Sequence, residues 1–390
     1  MEFTKTFNQL KQIFSLNSEF IPISDSNIHI QIMKFSSTSS LVLPSNGINE
    51  QTYFHQAIAT NDGAIPENKT FSYPVFVPNS NNKHRKAIIL LHGLNERSWL
   101  KYLPWAYNLA ITTNRPVILF PISFHMNRSP ENWANPRAMM PLLSKRQVSG
   151  NPEMLSFANV ALSQRLSDDP LRFFASGKQS AEDIVQLLEI IKNGEYPLLE
   201  KNSQVDFFSY SIGAFLSQIL FLADPKGLLT NSKLFMFCGG AHFSEMFGTS
   251  RLIMDSFAYA SLRKYYLNEF LKELKIRTPF SVYIKKSELG EAFLAMLSPE
   301  TNKEFRESRL QSLSEQIRIV SLKSDKVIPS NYIQSTFVSI RNRFKGIVKE
   351  LDFPFDYSHE VPFPVLGNNN SYLVDKAFND VFTPAVEFLK

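Results

Sequence analysis

Short runs of consecutive apolar residues recur along the second and later parts of the chain. Each run is four to six residues long and ends at small or polar residues. Continuous apolar runs of this length are typical of strands that are buried on both faces of a sheet. The sequence predicts such strands at 87–91, 116–120, 205–208, 233–238 and 317–322, with a further strand near 346–351.

Segments with helical spacing of apolar residues separate these runs. In the segment 180–192, Ile184, Leu187, Leu188 and Ile191 fall on one side of a helix. Further helices are predicted at 99–112, 214–222, 331–343 and 371–389. Strands that alternate with helices predict an α/β fold with a mostly parallel sheet that is covered on both faces.

Two regions interrupt this alternation. Residues 1–84 are rich in Ser, Asn and Pro, with extended pieces at 28–32 and 71–77, and we interpret them as an N-terminal extension that packs on the core. Residues 243–314 are dense in aromatic, leucine and charged residues without a convincing buried strand, which predicts a helical cap insertion. The core would then consist of 85–242 and 315–390.

Composition narrows the class of protein. The 390 residues are 44% hydrophobic and 20% charged, and the net charge of +5 is spread along the chain without a basic stripe, so we expect no nucleic-acid partner. Cys238 is the only cysteine, which excludes an internal disulfide framework and a cysteine-based zinc cluster. The first twenty residues lack the apolar run and cleavage site of a secretory signal, and no stretch has the length of a transmembrane helix. We therefore expect a cytoplasmic protein without stable membrane insertion.

Ser211 occupies the turn between a predicted buried strand and a predicted helix. A serine hydroxyl needs a base, a group that orients the base, and donors for an oxyanion, and all of these can gather at the carboxyl ends of parallel strands. The residues that flank such a sharp turn must be small, as Ser209 and Gly213 are. Ser209-Tyr210-Ser211-Ile212-Gly213 resembles the G-x-S-x-G nucleophile elbow of the α/β-hydrolase family, with serine at the first glycine position.

The run 88–91 leads into His92-Gly93, which resembles the family's strand before the oxyanion loop. The resemblance implies that the backbone N–H groups of Leu94 and Ile212 form the oxyanion hole. Alternatively, His92-Gly93 only ends a strand and turns the chain.

Asp325 follows the run 317–322, and Asp325-Lys326-Val327-Ile328-Pro329 resembles the acid loop of the family, D-x-x-V/I-P. The resemblance implies that Asp325 orients the catalytic base. A turn-forming or helix-capping role is the alternative. Asp352 and Asp356 are weaker candidates for the acid, since neither has this strand and loop context.

His359 follows the last predicted strand and precedes the last predicted helix, so its loop can reach the elbow. The order Ser211, Asp325, His359 is the order of the family, which implies a Ser-His-Asp triad. His242 is a rival base at another strand end, but it precedes Asp325 and breaks that order. Loop positions at the same edge of the sheet suggest possible contacts with substrate from His92, Gly93, Asn95, Tyr210 and His125.

The resemblance implies hydrolysis of a small carboxylester through an acyl-enzyme, without a metal or an organic cofactor. Thioesterase, amidase and peptidase activities use the same groups and remain alternatives, as does a non-catalytic scaffold that only binds. Neither the leaving group nor the oligomeric state follows from these motifs.

Overall fold

One nine-stranded sheet dominates the part of the chain that the computed structural model describes, residues 1–39, 62–338, 346–365 and 371–390. The strands lie side by side in the order β1-β2-β3-β5-β4-β6-β7-β8-β9. Their bounds are β1 Phe20–Pro22, β2 Ile28–Ser36, β3 Thr70–Pro78, β4 His84–Leu91, β5 Val117–Leu119, β6 Leu199–Tyr210, β7 Leu234–Phe237, β8 Ile317–Leu322 and β9 Val348–Leu351.

The six strands from β5 to β9 across the sheet run parallel, and β1, β2 and β3 are joined to them by antiparallel pairing. Every apolar run interpreted as a strand lies in one of these strands, because apolar residues on both sides of the backbone suit a sheet covered on both faces. The prediction of an α/β fold with a mostly parallel sheet that is flanked by helices is confirmed.

Helices cover both faces of the sheet. Their bounds are α1 Phe3–Ile13, α2 Pro66–Lys69, α3 Leu103–Thr113, α4 Pro136–Val148, α5 Val160–Asp168, α6 Leu171–Asn193, α7 Ile212–Ala223, α8 Ser256–Lys264, α9 Phe270–Glu273, α10 Pro279–Lys286, α11 Glu288–Ala295, α12 Lys303–Ser312, α13 Ser330–Thr336 and α14 Ser371–Leu389. The predicted helix at 331–343 corresponds to α13, and residues 339–345 lie outside the described part, as do Asn368–370.

Alternate side chains of each central strand enter different cores. Phe208 packs with α1, α3 and α14 in one core, whereas its neighbour Phe207 packs with α6 and α7 in the other. Both phenylalanines are completely buried. The strand periodicity of two thus divides an unbroken apolar run between two helical layers.

The N-terminal region takes a larger part in the sheet than its sequence indicated. Its strands β1, β2 and β3 extend the sheet, and β3 joins the core through the pair Val75 and Ile118. Helix α1 packs beside α14, where the Thr4 backbone N–H donates to Asp375 Oδ1 at 2.8 Å. The described strands of this region, β1, β2 and β3, are thus part of the same sheet as the parallel strands.

Two groups of helices lie in the long segments between strands of the parallel part of the sheet. Helices α4, α5 and the first half of α6 occupy the segment between β5 and β6 that the sequence indicated only as a long loop. Helices α8 to α12 occupy the segment between β7 and β8, where a helical cap is predicted. In the described residues, no helix is both long and apolar enough to cross a membrane.

Candidate active site

The register of the parallel strands brings several loop residues to one edge of the sheet. Leu91 of β4 pairs with Ser209 of β6, Tyr210 with Phe237 of β7, and Leu322 of β8 with Leu351 of β9. The residues that follow these strands therefore emerge side by side at the carboxyl edge, where ligands bind in open α/β sheets.

Ser211 is the single residue between β6 and α7, and its backbone is strained. Its φ of 57° and ψ of −122° lie in a region that residues with a side chain rarely adopt. The sharp turn packs α7 closely against β4: a Cβ at Gly213 would lie 2.8 Å from the carbonyl oxygen of His92. Glycine is thus required at the second flank, and the turn projects the Ser211 side chain from the edge of the sheet.

Ser209 replaces the first glycine of the elbow without leaving a buried hydroxyl unpaired. Its Oγ lies 2.6 Å from Ser217 Oγ, and Ser217 Oγ donates to the Gly213 carbonyl at 2.9 Å. Because Ser217 has one hydroxyl proton, Ser209 must be the donor of the bond between them. The departure from the family motif is therefore matched by a serine on α7.

Three predicted residues form a continuous hydrogen-bonded chain. Ser211 Oγ lies 2.6 Å from His359 Nε2, and His359 Nδ1 lies 2.7 Å from Asp325 Oδ2. All three side chains are buried. The carboxylate only accepts, so Nδ1 carries the proton and Nε2 is left to accept from Ser211. The second oxygen of Asp325 accepts from the backbone N–H groups of Val327 and Ile328, both at 2.9 Å, which fixes the carboxylate.

Tyr210 contacts His359 through both its hydroxyl and its ring. Its hydroxyl donates to the His359 carbonyl oxygen, and the two rings stack with centroids 5.5 Å apart at 20°. Burial raises the pKa of Tyr210 well above its usual value, so the phenol stays protonated as a donor. Lys101 Nζ lies 4.8 Å from the centre of the Tyr210 ring and donates to the Glu360 carbonyl at 3.0 Å. The loop that carries His359 is thus held at two successive carbonyls.

Cys238 was not considered for the site, although its position directly after β7 could have indicated it. Its thiol, the Asp325 carboxylate and the His359 ring offer atoms within 4.8 Å of one another, a set that by type could hold a metal ion. Both nitrogens of His359 are already hydrogen-bonded, however, and burial, followed by the charge of Asp325, raises the pKa of the Cys238 thiol well above its usual value. The arrangement is therefore that of a protonated Cys238 thiol beside the hydrogen-bonded residues Asp325 and His359.

A family model described as "Family of unknown function (DUF6051)" matches residues 1–390. The chain belongs to DUF6051. A search of curated proteins found no significant match.

Solved structures similar to this DUF6051 protein include several hydrolases. Carboxyl esterase 2 from Tuber melanosporum is 10% identical over 100% of this chain and 97% of its own, with a TM-score of 0.43. An S-formylglutathione hydrolase from Agrobacterium tumefaciens is 11% identical over 93% and 96%, with a TM-score of 0.44. A protein from Bacteroides ovatus assigned as a dipeptidyl aminopeptidase IV is 13% identical over 93% of this chain, with a TM-score of 0.41, and the chain spans only 36% of its length.

The two predicted oxyanion donors border a cavity that also reaches Ser211. This cavity has about 510 Å³ of empty volume. Among the described residues, the backbone N–H groups of Leu94 and Ile212 donate to no acceptor. Leu94, Ile212 and Ser211 thus border one cavity, and the role of the two N–H groups as an oxyanion hole stays a prediction.

The other residues predicted to contact substrate, apart from Tyr210, lie in the loops after β4 and β5. His125 borders a second cavity, and its Nδ1 lies 2.9 Å from the Ser123 carbonyl oxygen. The other predicted contacts also bind protein groups. His92 donates through Nδ1 to the Gly93 carbonyl at 2.8 Å and accepts from the Ile122 N–H at 2.9 Å. The Gly93 N–H donates to Tyr102. Asn95 donates to two carbonyls, those of Ala158 at 2.9 Å and Leu252 at 2.8 Å.

The rival acids and base lie elsewhere in this DUF6051 protein. His242 Nδ1 lies 2.9 Å from Glu245 Oε2 and 3.2 Å from Thr336 Oγ1. Asp352 is exposed and pairs with Lys323 at 3.2 Å, and Asp356 is also exposed. Among the described residues, Asp325 is therefore the carboxylate that reaches His359.

Proposed function

We propose that this DUF6051 protein is a serine hydrolase that cleaves carboxylic esters through an acyl-enzyme. The observation that carries the proposal is the buried chain from Ser211 to His359 to Asp325, with distances of 2.6 and 2.7 Å. A serine is activated when a base takes its proton and a third group orients that base. The strained turn at Ser211 presents the hydroxyl to the cavity.

In the first step, Ser211 Oγ attacks the ester carbonyl carbon while His359 Nε2 takes the hydroxyl proton. The carbonyl oxygen becomes an oxyanion, which the N–H groups of Leu94 and Ile212 would stabilise together with the positive N-terminus of α7. His359 then gives its proton to the alcohol oxygen as the C–O bond breaks. Asp325 stabilises the imidazolium that exists between these two transfers.

In the second step, water attacks the acyl-enzyme. His359 takes a proton from the water, and the new tetrahedral intermediate collapses with return of that proton to Ser211 Oγ. The products are a carboxylic acid and free enzyme. The chemistry uses only the side chains and backbone groups of the site.

An ester is favoured over a peptide by the walls of the cavity at Ser211. The residues that border it there are apolar apart from Ser211 itself and Tyr259, and none is charged: Leu94, Phe173, Ile212, Phe243, Met246, Gly248, Ile253, Met254, Leu262, Val327 and Ile328. A peptide would bring amide groups that such walls leave without partners, at a cost of about 1–3 kcal/mol for each group. The cytoplasmic location and the lack of a nucleic-acid partner remain predictions from composition.

The test is covalent labelling with a fluorophosphonate probe, followed by peptide mapping. We expect the label on Ser211, loss of the label in Ser211→Ala, and a fall in kcat for p-nitrophenyl butyrate of about 10⁴- to 10⁶-fold. Ser312→Ala is the matched control, because Ser312 is exposed at the end of α12 and borders neither cavity, so this variant should label and turn over as the wild type does. A folded wild type that neither labels nor hydrolyses esters would instead indicate a binding scaffold.

A butyryl thioester and a butyryl anilide extend this test. Turnover of the oxygen ester is expected to exceed that of the anilide, since the apolar walls provide no partner for the amide N–H. A preference for the anilide would contradict the ester assignment while leaving Ser211 as nucleophile.

A further inference from the structure

The site consists of two apolar cavities. The cavity at Ser211, which we name the Met254 compartment, is formed mainly by the segment between β7 and β8, including Met246, Gly248 and Met254. The second cavity, the Phe293 compartment, has about 650 Å³ of empty volume and lies between α6, α7 and α11, with Gly177, Ala181 and Phe293 in its walls.

The two compartments meet at the proposed oxyanion hole. Leu94, Phe173 and Ile212 border both of them. In the proposed function, the N–H groups of Leu94 and Ile212 hold the carbonyl oxygen. A carbonyl group held there would have one cavity on each side, so the two substituents of the ester function can diverge into separate spaces.

The walls of the Phe293 compartment carry little free charge. Lys178 is the charged residue on its lining, and this lysine pairs with Glu182 at 2.6 Å and lies 5.2 Å from the centre of the Tyr283 ring. His125 adds no charge near neutral pH, because burial lowers its pKa to about 3. The remaining walls are mostly aliphatic and aromatic. Both compartments therefore suit hydrocarbon groups.

Gly177 provides an independent indication that the Phe293 compartment is kept open. It lies inside the 23-residue helix α6, where glycine costs about 1 kcal/mol relative to alanine. A Cβ at Gly177 would meet no atom within 4 Å, so packing within the protein does not require glycine here. The space that the missing side chain leaves is the compartment itself.

We infer that the substrate is an ester with a sizeable apolar group on both sides of the ester linkage, one in each compartment. This inference rests on the proposed function and deepens it. It also makes Gly177 and Gly248 residues that determine specificity, since each leaves one compartment unfilled next to its wall.

The experiment uses two ester series, one with a lengthening acyl chain on a methyl alcohol and one with a lengthening alcohol on an acetyl group. Gly177→Leu and Gly248→Leu form a matched pair that fills one compartment each. A Cβ at Gly177 would meet open space, whereas a Cβ at Gly248 would lie 3.3 Å from the flexible end of the Met254 side chain. Thermal melting checks that both variants fold, and Ile253→Trp replaces Gly248→Leu if that variant does not.

Each variant is expected to lower kcat/KM for the longest member of one series at least tenfold, a loss typical of a filled pocket. The two variants should affect opposite series, and in each series the loss should increase with the length of the chain. Loss in the same series for both variants, or in neither, would overturn the two-compartment inference. Failure of wild type to hydrolyse any ester, even methyl acetate, would instead refute the proposed function.

Discussion

Two sets of loops at the carboxyl edge of the sheet contain buried polar residues, but they use them differently. In the loops after β6, β8 and β9, Ser211, Asp325 and His359 are bonded to one another. In the loops after β4 and β5, His92 and Asn95 are bonded to backbone groups. We refer to these as the reactive loops and the supporting loops.

The difference shows that position at a strand end does not by itself assign a chemical role. A buried polar group needs a partner, and the partner decides what the group can do. The ring of His92 links the Gly93 carbonyl to the Ile122 N–H, so it fastens the loop after β4 to the loop after β5. Its neighbour Leu94 carries a proposed oxyanion donor. The supporting loops thus hold the backbone on which the reactive loops depend.

The largest expected effect is on the reactive loops, in the variant Asp325→Asn. The amide keeps an oxygen for the N–H groups of Val327 and Ile328, so the free energy of unfolding should change little. Its NH₂ group can also hold His359 in the wrong tautomer, and kcat should fall about 10⁴-fold. Steady-state kinetics on p-nitrophenyl butyrate measures this loss.

Asp352→Asn is the control, since Asp352 is exposed and lies outside the chain from Ser211 to Asp325. It should retain wild-type kcat. Turnover of Asp325→Asn within a few-fold of the wild type would contradict the catalytic role of Asp325. Asp325 would then have a structural role, like the polar residues of the supporting loops.

A smaller effect, on stability, is expected for His92→Leu in the supporting loops. Leucine leaves the Gly93 carbonyl and the Ile122 N–H without their partner in a fully buried site, which should lower the free energy of unfolding by about 2–5 kcal/mol. Urea denaturation at pH 7.5 measures the change. His84→Leu, at a half-buried histidine, should cost about 1 kcal/mol or less. If His92→Leu kept full stability but lost turnover as Asp325→Asn does, the division between the two sets of loops would be wrong.

The sequence signals for Ser211, Asp325 and His359 are local and follow in chain order, and the catalytic roles of these residues stay a prediction. Apolar runs located five of the six parallel strands, whereas β9 has exposed residues at Lys349 and Glu350. The resemblance then pointed to Ser211, Asp325 and His359 in chain order. The structure places these three side chains together. It also explains why Ser209 is compatible with the elbow, through Ser217, a partner eight residues away that the pentapeptide itself does not contain.

Helices α4, α5 and the first half of α6 were not predicted from apolar spacing, because charged residues occupy part of their buried faces. Arg165 on α5 is buried and pairs with Asp62 at 2.7 Å, and Arg146 on α4 pairs with Asp255 and is also buried. In a pattern of apolar and polar residues, buried arginines such as these look like exposed positions. The cavities could not be predicted from the sequence either, since their walls come from residues far apart in the chain, such as Gly177 and Phe293.

The smallest expected effect concerns the pH dependence of stability, which the supporting loops should dominate. Burial lowers the pKa of His125 to about 3, and the charges of Arg97 and Arg128 contribute to this shift. Burial also lowers the pKa of His92 well below its usual value, with contributions from the charges of Lys101 and Arg128. The unfolded chain binds these protons near pH 6.5. Between the two values the unfolded state holds more protons, so the free energy of unfolding should fall as the pH drops below 6.5 and be insensitive to these rings above about pH 7.5.

Urea denaturation at pH 7.5 and pH 5.0 tests this dependence, with His125→Gln compared to wild type. The variant should lose less stability than wild type between the two pH values, because one group that is protonated only on unfolding has been removed. His92 and His242, whose pKa values burial also lowers, should preserve part of the dependence in the variant. An identical loss in His125→Gln and wild type would mean that folded His125 is protonated at pH 5, so that the supporting loops tolerate a buried charge.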